Sequence, residues 1–68
     1  NVEIYSYGHQ IYVNHAEGLS VEIFDVTGKL IISEIGNSQD HRVFTVNSSG
    51  IYLVRTSNGV VKKVQVIR

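Results

Sequence analysis

The side chains able to act as bases, nucleophiles or metal ligands are few: three histidines, six carboxylates, scattered serines and no cysteine. His9 and His15 stand six positions apart, about 20 Å along a single strand, so they meet at a metal only if the chain turns between them. His15 and Glu17, two apart, form a weak metal pair, but a zinc centre takes three or four ligands and nothing beside them supplies the rest. Exposed turn histidines are the plainer reading. The run Asn47-Ser48-Ser49-Gly50 is not a nucleophile elbow. Its serines read as turn residues bonding local backbone, and its Asn-x-Ser triplet is a glycosylation acceptor pattern of common occurrence. Asp40 and Glu34 lack a spacing that implies acid–base work. The glycines fall singly, none closing a strand and opening a helix as a phosphate cradle requires. Four tyrosines could stack on a sugar or a single strand of nucleic acid, yet tyrosine is equally an ordinary strand residue with a buried ring and a wet hydroxyl. Neither catalysis, a metal nor a cofactor is expected.

The elements that would carry these residues alternate with a period of two. In "VEIYSYG", Val2, Ile4 and Ser6 oppose Glu3, Tyr5 and Tyr7; in "HQIYVNH", Ile11 and Val13 oppose Tyr12 and Asn14. "LSVEIFD" sets Leu19, Val21 and Ile23 against Ser20 and Glu22, and "KLIISEI", "HRVFTVN", "IYLVRTS" and "VVKKVQVI" complete seven short strands. Gly8, Gly18, Gly28, Gly36, Gly50 and Gly59 fall between the blocks, where positive φ lets the chain reverse. "DVTGK" suits a type I turn with Gly28 left-handed, and "SNGV" is the strongest hairpin signal. Seven short strands with turns at this spacing predict an all-β, seven-stranded antiparallel immunoglobulin-like β-sandwich, a single unit over residues 1–68. An unpaired guanidinium is costly to bury, so Arg55 is placed outside and Tyr52 and Val54 inside; Val64 and Val66 are assigned to the core.

Size and charge narrow the function. A chain of 68 residues hides only about 60% of the surface its unfolded form exposes, and without cysteine no disulfide reinforces it. The chain starts at Asn1 without methionine, which reads as a piece of something longer. No apolar run approaches the ~20 residues that span a bilayer, so direct membrane insertion is not expected. Six acidic and six basic residues cancel, which removes the positive field of a nucleic-acid binder. The nearest charge cluster is Lys62, Lys63 and Arg68.

Taken in order, "VEIFDVTGKLI", "SSGIYLV" and "NGVVKKVQV" resemble the type A C-terminal sorting domains of the type IX (Por) secretion system of Bacteroidetes. The resemblance runs from Val21 to Arg68. It rests on Phe24 with the turn residues Asp25, Gly28 and Lys29, on the Gly-x-Tyr element Gly50 and Tyr52, and on the closing hairpin with Gly59, Lys63, Val64 and Val66. Two departures stand out: the chain has no proline, where the family commonly carries a proline-containing element near the domain start, and Asn47 stands where a leucine is usual.

The resemblance implies a non-catalytic secretion signal at the end of exported cargo. Such cargo crosses the periplasm, passes the type IX translocon with the help of outer-membrane shuttle or sortase proteins, and reaches the cell surface or the medium. In many cargos a sortase removes the domain and anchors the cargo. Gly50 and Tyr52 are expected to act through the fold, with Gly59 a further determinant; Lys62, Lys63, Arg68 and the terminal strand with Val64 and Val66 are expected to carry recognition. The lysines have a second reading as guards against edge pairing. Alternatives are a retained domain of a secretion-machinery component, a carbohydrate-binding or adhesion module using Tyr5, Tyr7 and Tyr12, and an edge-strand homodimer.

Overall fold

The computed structural model describes residues 1–67; Arg68, one of the expected recognition residues, lies outside them. The alternating blocks form β1 (Glu3–Tyr7), β2 (Gln10–Asn14), β3 (Val21–Asp25), β4 (Leu30–Glu34), β5 (His41–Thr45), β6 (Gly50–Thr56) and β7 (Val61–Val66), with no helix among the described residues. All pairings are antiparallel: β1-β2-β5 make one sheet and β4-β3-β6-β7 the other, so the expected immunoglobulin-like sandwich is present.

Each strand turns one parity inward. Ile4, Ile11, Val13 and Phe44 from the first sheet meet Val21, Ile23, Tyr52, Val54, Val64 and Val66 from the second, with Ala16 and Val46 filling the ends. Tyr52, Val54, Val64 and Val66 therefore lie inside as expected, and Arg55 lies outside. β-Branched residues dominate this core because their stiff χ1 packs well on a pleated surface.

The connections have identifiable causes. Gly8 (φ 60°) takes the first central position of the two-residue β1–β2 turn, where only a residue free to adopt positive φ matches the strand twist. Gly36 differs from the other five glycines: it lacks positive φ and serves close approach instead. A Cβ built on it would stand 2.5 Å from the Gly18 carbonyl oxygen. Next to it, Gly18 N–H donates to Asn37 O at 2.7 Å, pinning the β2–β3 loop to the β4–β5 loop. At the β5–β6 crossing the Tyr52 hydroxyl donates to Ser48 O at 2.7 Å, four residues upstream. That is the tyrosine corner of immunoglobulin-like sandwiches, which fixes where the chain changes sheets.

Candidate functional site: the closing hairpin and the outer sheet face

β6 and β7 pair from Gly50↔Val66 to Arg55↔Val61. Their turn runs Thr56 to Val60: Gly59 N–H donates to Thr56 O at 3.0 Å, and Thr56 N–H to Val60 O at 2.9 Å. Gly59 has φ 94°, whereas Asn58 does not have positive φ, so Asn58-Gly59 sits in a three-residue loop rather than a two-residue one. The Asp25–Lys29 turn repeats this geometry, with Gly28 N–H donating to Asp25 O at 3.0 Å and Gly28 at φ 91°. There the Asp25 carboxylate accepts from Thr27 Oγ1 at 2.6 Å, from Thr27 N–H at 2.9 Å and from Lys29 N–H at 3.0 Å. Bonding from Thr27 and then from the Lys29 amide holds the Asp25 carboxyl below its ordinary value. The two loops frame the outer sheet face from its two ends.

The expected recognition residues divide by parity. Val64 and Val66 are core residues, 6% and 1% exposed, and a partner meeting the folded domain does not touch them. Gly50 (φ 151°) opens β6 opposite Val66, and Tyr52 holds the crossing described above. Lys62 has inward parity at the mouth of the sandwich, and its Nζ donates to Ile4 O at 2.7 Å, tying β7 to β1. Ser6 Oγ donates to Gln65 O beside it, so the two edge strands lean on each other. Lys63 points outward, opposite Leu53, and makes no ion pair among the described residues.

The outer face around Lys63 is ordered in rows. Glu22, Arg55 and Val61 form one; Leu30, Phe24, Leu53 and Lys63 form the next; Ile51 and Gln65 follow. Arg55 Nε donates to Glu22 Oε1 at 2.9 Å, and its guanidinium carbon lies 5.2 Å from the centre of the Phe24 ring. This neutralises the first row and lays a cation over the aromatic face. A groove of about 500 Å³ is left between Phe24, Val26, Ile51, Leu53, Arg55 and Lys63.

The opposite face is built differently. Tyr5 and Tyr12 are cross-strand partners whose rings stack at 5.0 Å with planes 10° apart, so each covers one face of the other. Below them Asn14 Nδ2 donates to Glu3 Oε1, and Asn14 Oδ1 meets His41 Nδ1 at 3.1 Å. His15 lies beside Asp40 and His41 rather than forming a site with Glu17: its Nδ1 is 3.6 Å from Asp40 Oδ2, and His41 Nε2 is 3.4 Å from the same oxygen. No group of three such side chains among the described residues is arranged to hold a metal.

One residue with a large structural role escaped the sequence reading. Arg42 is 3% exposed, donates from Nη2 to Ala16 O at 2.8 Å and stands 3.4 Å from Glu34 Oε1 through Nη1. It braces β5 against β4 across the open side of the sandwich. Its signal was the shared parity of Arg42, Phe44 and Val46.

Comparison with known proteins agrees with this geometry. The sequence profile described as "Secretion system C-terminal sorting domain" matches residues 7–67 of the 68. The match extends back to Tyr7 from the Val21 boundary drawn on motifs, taking in the first sheet's turn and β2. No curated protein matches the chain. With the profile spanning nearly its whole length, the chain belongs to the family of type IX secretion C-terminal sorting domains.

Proposed function

We propose that this domain is a non-catalytic signal, read in its folded state, that directs cargo through the type IX translocon of the bacterial outer membrane. The observation carrying this reading is the split along β7: Val64 and Val66 anchor the strand in the core while Lys63 and Gln65 face solvent. An anchored strand presents its outward side chains at fixed positions, which a receptor can recognise without unfolding the domain. Cargo bearing the domain passes through the periplasm, meets the translocon and an outer-membrane shuttle, and arrives at the cell surface, where a sortase removes the domain and anchors the cargo. The rival glycan-binding reading keeps the exposed Tyr7, whereas the Tyr5–Tyr12 stack closes one face of each of its rings.

The test is fusion of the domain to a periplasmic reporter in a type IX-competent bacterium. Surface export is expected for the intact domain. Deleting Val64 to Arg68 removes two core residues with the strand and is expected to abolish export. An intact fusion that stays in the periplasm, or a truncated one that is exported as well as the intact one, would refute the reading.

A further inference from the structure

The outer face of the β4-β3-β6-β7 sheet presents Leu30, Ile51, Leu53 and Val61 to solvent, between 39% and 53% exposed, around the half-buried Phe24. Contiguous apolar side chains at this density mark a surface that another molecule covers. The face also carries four charges with different fates. Glu22 and Arg55 neutralise each other, and Asp25 is bonded within its own turn. The Lys63 ammonium makes no ion pair or hydrogen bond among the described residues, and it stands in the Leu53 row against the groove, which Asp25 also lines. The other sheet differs: its outer rows are the Tyr5–Tyr12 stack beside Val43, the Glu3–Asn14–His41 chain and a row opened by the 77% exposed Tyr7, with no lysine or arginine among them and Val43 the one exposed aliphatic residue.

We infer that this face, centred on the groove between Phe24, Ile51, Leu53 and Lys63, docks an apolar surface of the secretion machinery that carries a carboxylate opposite Lys63. The inference rests on the sorting reading and names the chemistry of its partner. Charge complementarity selects the occupant: a covering surface without an anion would strand the ammonium in an apolar contact, whereas one with a carboxylate gains a charge-assisted bond as water leaves. A second copy docked face to face on the same surface meets this need poorly, because its Glu22 is paired and its Asp25 is bonded within its own turn. The inference also separates two roles for Lys63. A guard against edge pairing works with either sign of charge; a docking residue needs the positive one.

The experiment uses the reporter fusion and four variants, each checked for folding by thermal unfolding followed by circular dichroism. Leu53→Asp and Lys63→Glu are expected to lower surface export at least tenfold. Lys63→Arg, which keeps the charge, and Val43→Asp, on the opposite sheet, are expected to stay within twofold of the parent. Export of Leu53→Asp and Lys63→Glu at the parental level, with the unaltered fusion exported, would overturn the docking face and leave the sorting reading standing. Failure of the unaltered fusion itself would remove both. Sedimentation of the purified chain supplies an independent arm: a monomer is expected, and a dimer that Leu53→Asp dissolves would overturn the inference by showing the face covered by a second copy.

Discussion

Replacing Arg42 by alanine tests the account of how the sandwich is held on its open side. Arg42 is 3% exposed, and the bond from its guanidinium to Ala16 O is charge-assisted, a type that contributes about 1.5–3 kcal/mol. Its attraction to Glu34 counts for less: Nη1 and Oε1 stand 3.4 Å apart without a hydrogen bond, and the Glu34 side chain is 39% exposed although that oxygen is buried, which leaves about 1 kcal/mol. Loss of the packed stem adds to this, against the relief of desolvation when the charge is gone. A net loss of about 2–4 kcal/mol is expected for Arg42→Ala. A chain of this size has roughly 3–10 kcal/mol of stability in all, so the loss takes a large share of it and the urea midpoint should fall clearly. Urea unfolding followed by far-ultraviolet circular dichroism measures this directly, since the chain has no tryptophan to report otherwise. Arg42→Met keeps the stem and removes the charge, and is expected to fall between parent and alanine. Adding Glu34→Gln to either variant should change the midpoint little. A midpoint for Arg42→Ala that corresponds to less than ~0.5 kcal/mol would refute the reasoning, placing the guanidinium among ordinary surface groups.

Gly36→Ala should destabilise more than Gly28→Ala, because its Cβ meets backbone at 2.5 Å whereas a Cβ on Gly28 meets only open space and the strain of φ 91°; comparison of the two melting temperatures checks the order. Tyr52→Phe removes only the hydroxyl bonded to Ser48 O and is expected to cost about 1 kcal/mol by urea unfolding, with the fold retained. The Asp25 carboxyl is held below its ordinary value in the folded chain by its bonds from Thr27 and the Lys29 amide, so its contribution is complete well above that ordinary value and is lost as the pH falls through the lowered one. Stability measured from pH 6 to pH 2 should therefore decline below about pH 4, and Asp25→Asn should flatten that decline.

Those parts of the fold governed by neighbours in sequence were legible before any coordinates. Alternation placed Tyr52, Val54, Val64 and Val66 inside, and Asp25, Gly28 and Gly59 marked their turns, because period and positive φ are local properties. The three consecutive apolar residues Leu30, Ile31 and Ile32 showed no alternation; a bulge in the β3–β4 pairing accounts for them by turning Leu30 outward and Ile32 inward. Arg42 was missed because its parity and its charge point opposite ways, and only the Ala16 carbonyl, brought near by β2–β5 pairing, resolves the conflict. The same pairing assembles His15, Asp40 and His41 from distant positions. For the candidate site, the outward aim of Lys63 followed from parity, whereas the reach of Lys62 to Ile4 depends on a contact between the first and last strands that no local pattern encodes.

That contact between the first and last strands makes closure of the sandwich depend on the whole chain. A chain that stops short of Val64 lacks two interior residues and half of the strand that pairs with β6 and leans on β1. Such a chain has no closed interior, because the seam between the two edge strands forms only once β7 lies against β1. The first and last strands thus make the sandwich whole together or not at all.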